Sequence, residues 1–482
     1  MDIKSEVDVE EFLDPLEAAD DVDFLDEMAP LEPVEDTGVR QLYIPKSCLT
    51  AGQVVNILRR MLRSMNSSYI DIAERTAFCA IKLYDYAKLN SRSEMDDIDR
   101  NSLILLSLLF TIGAYRDDFF ANLEKTEKSE NISNVFLYSY LYLKHLTPLG
   151  DIAEAIIFYN YEWDKARIIS GQYAEYASLV FTCMRICIEL RKTKYVMPSG
   201  SLTKEFVQKC HAMYNPIYID LFIEANRDAV ITKDLEDNSH YMLLDEYCNS
   251  LHFDYGDTFA LLKLLIYSID FRSTSTVTHI ISTSFLSTEL CRLCNFSDTE
   301  TDEVFTAAIL HDLGKMAIDV DILECAGKLS EIQMEKMRSH VKEGDYIYRS
   351  IVGDKIADIA SSHHETLDGK GYPKGLTEKD LSIQQRVLSV ADVFSALTDA
   401  RTYKPPFPKE KTLEILESMS NNHKIDSSVF AHVKEKYDEI KAHAEIRRPM
   451  LTVNLGKVIL EYMKLQDCKT VPELIQMLGT EE

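Results

Sequence analysis

From residue 48 onward, apolar residues of this 482-residue chain recur at spacings of three and four with few alternating runs. Such a period predicts helix almost throughout. The frame is also written twice. LLFTIGAY at 108–115 lies on AILHDLGK at 308–315, with Gly113 on Gly314 at an offset of 201. SLVFTCMRICIELRKTKYVMP at 178–198 lies on RVLSVADVFSALTDARTYKPP at 386–406 at an offset of 208, which sets Tyr195 on Tyr403 and Pro198 on Pro406, and carried further sets Phe222 on Phe430. Between these blocks, YNYEWDKA at 159–166 resembles a worn HHETLDGK at 363–370. A repeated apolar frame predicts a repeated fold. The expectation is all-α: two tandem helical bundles at 48–235 and 265–445, a helical connector at 236–264 and a helical extension at 446–482. Ser330 with Gln333 reads as a capping box, and Thr470 before Val471 and Pro472 opens a last short helix.

Charge is unevenly spread. The first 38 residues hold fifteen Asp or Glu and one Lys, about half of the net charge of −27. Interrupted by Pro15, Pro30 and Pro33, residues 1–40 are expected to form a disordered acidic tail that offers a contact for a signalling protein. No basic stripe follows phosphates, which argues against nucleic-acid polymers. The longest apolar run, LILLSLLFTIGAY at 103–115, is too short to span a bilayer, and the acidic start does not read as a secretory signal. A cytoplasmic protein is expected. Ten scattered cysteines, with one C-x-x-C at Cys291 and Cys294, read as reduced thiols.

What separates the copies is chemistry. Where the second has His311 and Asp312 the first has Phe110 and Thr111, and where the second has Asp392 the first has Met184. Residues 279–432 carry seven of the twelve histidines. His279, His311, Asp312, His340, His363, His364 and Asp392 all fall in or at the end of apolar-periodic segments, where such side chains are costly unless paired or ligating. Five imidazoles and two carboxylates make a mixed N/O set that suits iron, manganese or zinc. Adjacent His and Asp on a helix point about 100° apart, which suits two neighbouring ions. A carboxylate such as Asp312 bridging them would hold them about 3.5–4 Å apart, the spacing of two-metal phosphoryl-transfer sites. In DGKGYPKG, glycines and Pro373 shape a tight loop that presents Tyr372 at the rim of this cluster.

HDLGK at 311–315 and HHETLDGKGYP at 363–373 resemble the two signature strings of the HD-GYP family, HD phosphohydrolases acting on cyclic dinucleotides, chiefly cyclic di-GMP. The resemblance covers about 265–440, including Asp270, Thr276, the H-x-x-x-G of His340 and Gly344, and VADVFSALTDARTYK at 390–404. It implies two tandem HD-type bundles, the first degenerate, and a metal set of His279, His311, Asp312, His340, His363, His364 and Asp392 with Asp312 bridging. It implies two divalent ions, iron or manganese, and contacts from Lys315, Tyr372, Arg401 and Lys404 to the phosphates and bases of the substrate. Catalysis would rest on Asp312 and Lys315. Three positions depart from the family pattern: Ser275 stands where some members hold a third metal with glutamate, Ile280 replaces a serine, and Ser395 replaces the second aspartate of D-x-x-D-A-L-T.

The leading expectation is a phosphodiesterase opening cyclic di-GMP to pGpG and onward to GMP. Alternatives are hydrolysis of another cyclic dinucleotide or nucleotide, and a signalling module that binds the nucleotide with little turnover. The first copy is expected to keep the bundle and bind no metal, and to act as a pseudo-symmetric partner of the second.

Overall fold

The computed structural model describes residues 42–115, 131–159, 161, 168, 173–192, 215–269, 274–323, 325, 327–399 and 406–479. The acidic tail, Tyr195, Pro198, Asp270, Arg401, Tyr403, Lys404 and most of YNYEWDKA lie outside them. The chain divides into two compact units, one of Ala51–Leu264 with Asn454–Glu482, the other of Leu265–Val453 with the segment up to Thr50. The first begins with α1 (Ala51–Met65), α2 (Ser67–Leu89), α3 (Arg100–Leu109), α4 (Asn134–Leu146), α5 (Ala174–Lys192), α6 (Pro216–Ala225), α7 (Val230–Glu236) and α8 (His240–Asn249). The division falls inside α9 (Tyr255–Ser268). The second holds α10 (Thr274–Leu293), α11 (Asp298–Leu310), α12 (Val320–Leu323), α13 (Glu331–Arg338), α14 (His340–Val352), α15 (Asp354–Ala360), α16 (Ile383–Thr398), α17 (Lys409–Asn421) and α18 (Ser427–Arg447). α19 (Pro449–Leu465) and α20 (Val471–Leu478) close the chain. The fold is all-α, and among the described residues no helix is long and apolar enough to cross a membrane.

Local sequence explains where the helices start. Ser297 with Glu300, Ser330 with Gln333, Ser382 with Gln385 and Thr470 with Glu473 form capping boxes, satisfying amides that an open helix end leaves unpaired. Asn215 caps α6 with Pro216 in its first turn, and the Asp426 carboxylate accepts from Ser428 and Val429 at the start of α18.

The two units repeat one packing order. In the first, α2 packs against α3, α5 and α6, and α4 against the turn Ile112–Tyr115. In the second, α10 packs against α11, α16 and α18, and α14 against the turn Leu313–Ala317. A Cβ on Gly314 would fall 1.8 Å from the His340 carbonyl and 2.4 Å from the Gly344 nitrogen; on Gly113 it would fall 2.2 Å from the Val135 carbonyl and 3.0 Å from the Ser139 nitrogen. Both glycines therefore serve close backbone approach to the next helix, one turn apart along it. This contact places Val135 where the second unit has His340. Counted from the caps Asn215 and Asp426, however, Phe430 corresponds with Ile219 and not with Phe222, so the repeat slips by three residues late in the unit.

Aromatic packing fills the first unit where the second has imidazoles. Phe110 meets Phe181 edge-on at 5.8 Å, and Tyr159 stacks on Phe136 at 3.6 Å. The phenylalanine rings supply burial and no ligand atom. Residues 236–264 and 454–482 fold with this unit. Asp245 of α8 receives Arg59 Nη1 at 3.0 Å, while Arg59 is also held 2.8 Å from the fully buried Glu74, pairing charges that would be costly alone. Glu461 of α19 lies 2.8 Å from Lys144 Nζ and 2.5 Å from His145 Nε2 on α4.

Candidate metal centre

Three histidines sit where a helix ends, and that position fixes their chemistry. His311 follows the last residue of α11, His340 follows the end of α13, and His363 follows α15. The last carbonyls of a helix lack an intrahelical partner. In each case the imidazole Nδ1–H donates to the carbonyl three residues back, on Ala308, Met337 and Ala360, all at 2.7 Å. Nε2 is left with its lone pair, directed inward. His311 Nε2 is buried and has no hydrogen-bond partner, a cost that a bound cation would remove.

Asp312 stands between two sets of donors. Its Oδ2 lies 3.2 Å from His311 Nε2 and 3.7 Å from His279 Nε2, and its Oδ1 lies 3.5 Å from His340 Nε2 and 3.9 Å from His363 Nε2. One set is His279, His311 and Asp312, the other His340, His363 and His364, each with ligand atoms within 4.8 Å of one another. These are the metal-capable groups among the described residues, and both are in the second unit. Asp392 on α16 adds a carboxylate 2.9 Å from His279 Nε2 and 3.8 Å from His311 Nε2. Buried nitrogen and carboxylate donors with lone pairs converging on two points fit divalent metal ions.

Protonation of the His340, His363 and His364 set and of both carboxylates is consistent with that fit. Burial pushes His340 down to about 4 and His363 down to about 3, and drives His364 well below the usual range, so these rings are neutral at pH 7. Burial raises Asp312 and Asp392, but imidazoles outweigh it for both, with Lys315 adding to the effect on Asp312, and both are held well below the ordinary carboxylate range. His279 is opposed by burial yet rises to about 9 through its hydrogen bond to Asp392 and the neighbouring carboxylates of Asp399 and Asp312. Lys315 Nζ donates to Asp312 Oδ2 at 2.8 Å, placing a cation at the edge of the cluster.

The glycine-rich loop folds over one side. The Tyr372 amide donates to the His364 carbonyl at 3.1 Å, and a Cβ on Gly371 would fall 2.4 Å from the Thr366 nitrogen. Tyr372 stacks on His364 at 4.7 Å, with the Arg338 guanidinium 5.3 Å from its ring centroid. The structure thus brings together His279, His311, Asp312, His340, His363, His364, Asp392, Lys315 and Tyr372, whereas Arg401 and Lys404 lie beyond the described residues. Ile280 is buried in the core. Three features escaped the sequence reading: the helix-end carbonyls behind the histidines, the loop anchor Glu365 and the exposed Arg338. The buried Glu365 carboxylate accepts from the Lys374 and Leu376 amides at 2.6 and 2.8 Å. The one signal for it was an acid directly after the paired histidines.

With seven His and Asp side chains gathered by helices α10, α11, α14 and α16 and the turns beside them, the second unit defines a helical metal-site domain of HD type. Residues 264–429, a span that holds both HDLGK and HHETLDGKGYP, match the family described as HD domain. Over 349 residues it is 24% identical to 3′3′-cGAMP-specific phosphodiesterase 1 of Vibrio cholerae, covering 67% of this chain and 80% of that one. Over 182 residues it is 34% identical to the cyclic di-GMP phosphodiesterase of Thermotoga maritima, covering 37% of this chain and 50% of that protein. Over 169 residues it is 33% identical to 3′3′-cGAMP-specific phosphodiesterase 3 of Vibrio cholerae and spans 36% of that protein's length. A crystal structure titled as a cyclic GMP-AMP specific phosphodiesterase of V. cholerae aligns with 80% of this chain and 97% of that one, at a TM-score of 0.49 and 16% identity.

Proposed function

We propose that the second unit is a metal-dependent phosphodiesterase that cleaves a cyclic dinucleotide, with cyclic di-GMP opened to pGpG as the leading reaction. The observation that carries this reading is the pair of donor sets on either side of Asp312, each with imidazole Nε2 lone pairs free to ligate. His279, His311 and Asp392 would hold one divalent ion, His340, His363 and His364 a second, and Asp312 both; iron or manganese suits such a nitrogen-rich set with carboxylates. Bound there, the ions would supply Lewis acidity toward a phosphoryl oxygen and make water a nucleophile at neutral pH.

The protein's own residues provide the rest. Lys315, 2.8 Å from Asp312 Oδ2, offers positive charge to a phosphate oxygen whose charge grows as water adds to phosphorus and the 3′ oxygen departs. Tyr372 on its glycine-shaped loop gives a flat surface for a purine beside the centre. Arg401 and Lys404 are assigned to the phosphates on the motif alone. Arg401→Ala is expected to raise the Michaelis constant about tenfold or more, in line with loss of a charge-assisted bond, while metal content stays unchanged. Loss of metal in that variant would instead tie Arg401 to the cluster.

A second substrate, 3′3′-cGAMP, is favoured by one observation: the alignment with the cGAMP-specific relative covers 67% of this chain, whereas that with the Thermotoga cyclic di-GMP enzyme covers 37%. Supplying each nucleotide separately to metal-loaded protein and resolving linear products by chromatography distinguishes the two. Conversion of neither would overturn the proposal.

A further inference from the structure

Of the histidines at the centre that could be held by a helix-end carbonyl, His279 is not; it lies inside α10, where the backbone carbonyls are engaged in the helix. Its ring nonetheless has to be oriented for Nε2 to reach Asp392 and Asp312. Nδ1 lies 3.0 Å from Ser395 Oγ, and Ser395 Oγ donates to Asp399 Oδ2 at 2.6 Å. A serine hydroxyl has one proton. Since that proton is given to an acceptor-only carboxylate, the oxygen meets His279 with a lone pair, and the hydrogen bond between them requires Nδ1–H. Thr283 Oγ1, at 3.5 Å, is too far to compete.

We infer that Ser395 and Asp399 form a relay that sets the tautomer and direction of His279, with the carboxylate placed one helical turn beyond the position where the family pattern carries aspartate. Ser395 and Asp399 are four residues apart near the end of α16, so they share a face. Asp399 Oδ2 lies 3.9 Å from Nδ1, beyond a direct hydrogen bond, and the serine oxygen fills the gap. Ser395 is fully buried and the Asp399 side chain is 9% exposed, so water does not readily replace the link. The substitution at residue 395 is therefore compensated at residue 399, and both act as positioning residues for a ligand. Outer partners of ligating histidines typically contribute 10–100-fold to metal affinity.

The relay rests on the proposed metal reading, and cobalt(II) binding to the 482-residue chain under argon, measured against a competing chelator and by visible absorption, separates the two. Asp399→Ala is expected to weaken one cobalt site about 10–100-fold and alter its spectrum. The exchanged variant Ser395→Asp/Asp399→Ser, which restores a carboxylate directly at His279, is expected to recover the affinity that the single variant loses. Circular dichroism checks that each variant keeps its helices. Unaltered affinity and spectrum in Asp399→Ala, or an exchanged variant no better than the single one, overturns the relay while leaving the metal reading in place. Failure of the unmodified chain to bind cobalt overturns both.

Discussion

Asp312→Ala is expected to remove cyclic dinucleotide turnover, by more than about a thousandfold, and to lower metal content while the helical fold persists. Its two oxygens face different donor sets, Oδ2 toward His279 and His311 and Oδ1 toward His340 and His363. No other carboxylate among the described residues has both positions. The loss should exceed the hundred- to thousandfold typical of deleting a single transition-state donor, because both ions lose a shared ligand and Lys315 loses its partner at 2.8 Å. Metal analysis beside a turnover assay checks it. Near-normal activity would sink the bridging assignment.

Gly314→Ala is expected to damage the centre without touching a ligand. The added Cβ would fall 1.8 Å from the His340 carbonyl, and because this contact is with backbone it can be relieved only by moving the turn or α14. Either movement displaces His340 relative to Asp312. Overpacking of this kind costs about 1–3 kcal/mol, and the shift should also lower metal affinity. Gly113→Ala makes the equivalent clash in the first unit, 2.2 Å from the Val135 carbonyl, and should destabilise that unit with the metal content unchanged. Two units need not unfold together, so differential scanning calorimetry, with metal analysis, should resolve the effects. Equal metal content in both variants at the wild-type level would contradict the placement of Gly314.

The helical frame, the repeat, the capping box at Ser330 and the helix start at Thr470 were legible because each is a local pattern of a few residues. The clustering of five imidazoles and two carboxylates was legible because such side chains are too costly to leave in apolar segments unless each is paired or ligating. Other features depend on contacts that no short pattern encodes. Residues 454–482 fold with the first unit because Glu461 meets Lys144 and His145, more than 300 positions earlier in the chain. Ser395 read as the loss of a carboxylate because its meaning lies in the distance to Asp399, and a spacing of four residues is too common to single out. The tautomers of His311, His340 and His363 likewise depend on where three helices stop, and sequence locates helix ends only to within a few residues.

The central claim, that the second unit holds a two-ion centre acting on a cyclic dinucleotide, is tested most directly by turnover measured against the number of ions bound per chain. Protein stripped by chelator and reloaded in steps with iron(II) or manganese(II) under argon is supplied with cyclic di-GMP and, in parallel, 3′3′-cGAMP. The account predicts no product from stripped protein and a rate that rises to a plateau at two ions per chain for at least one nucleotide. Full turnover in stripped protein, or no turnover of either nucleotide once both ions are bound, would contradict it.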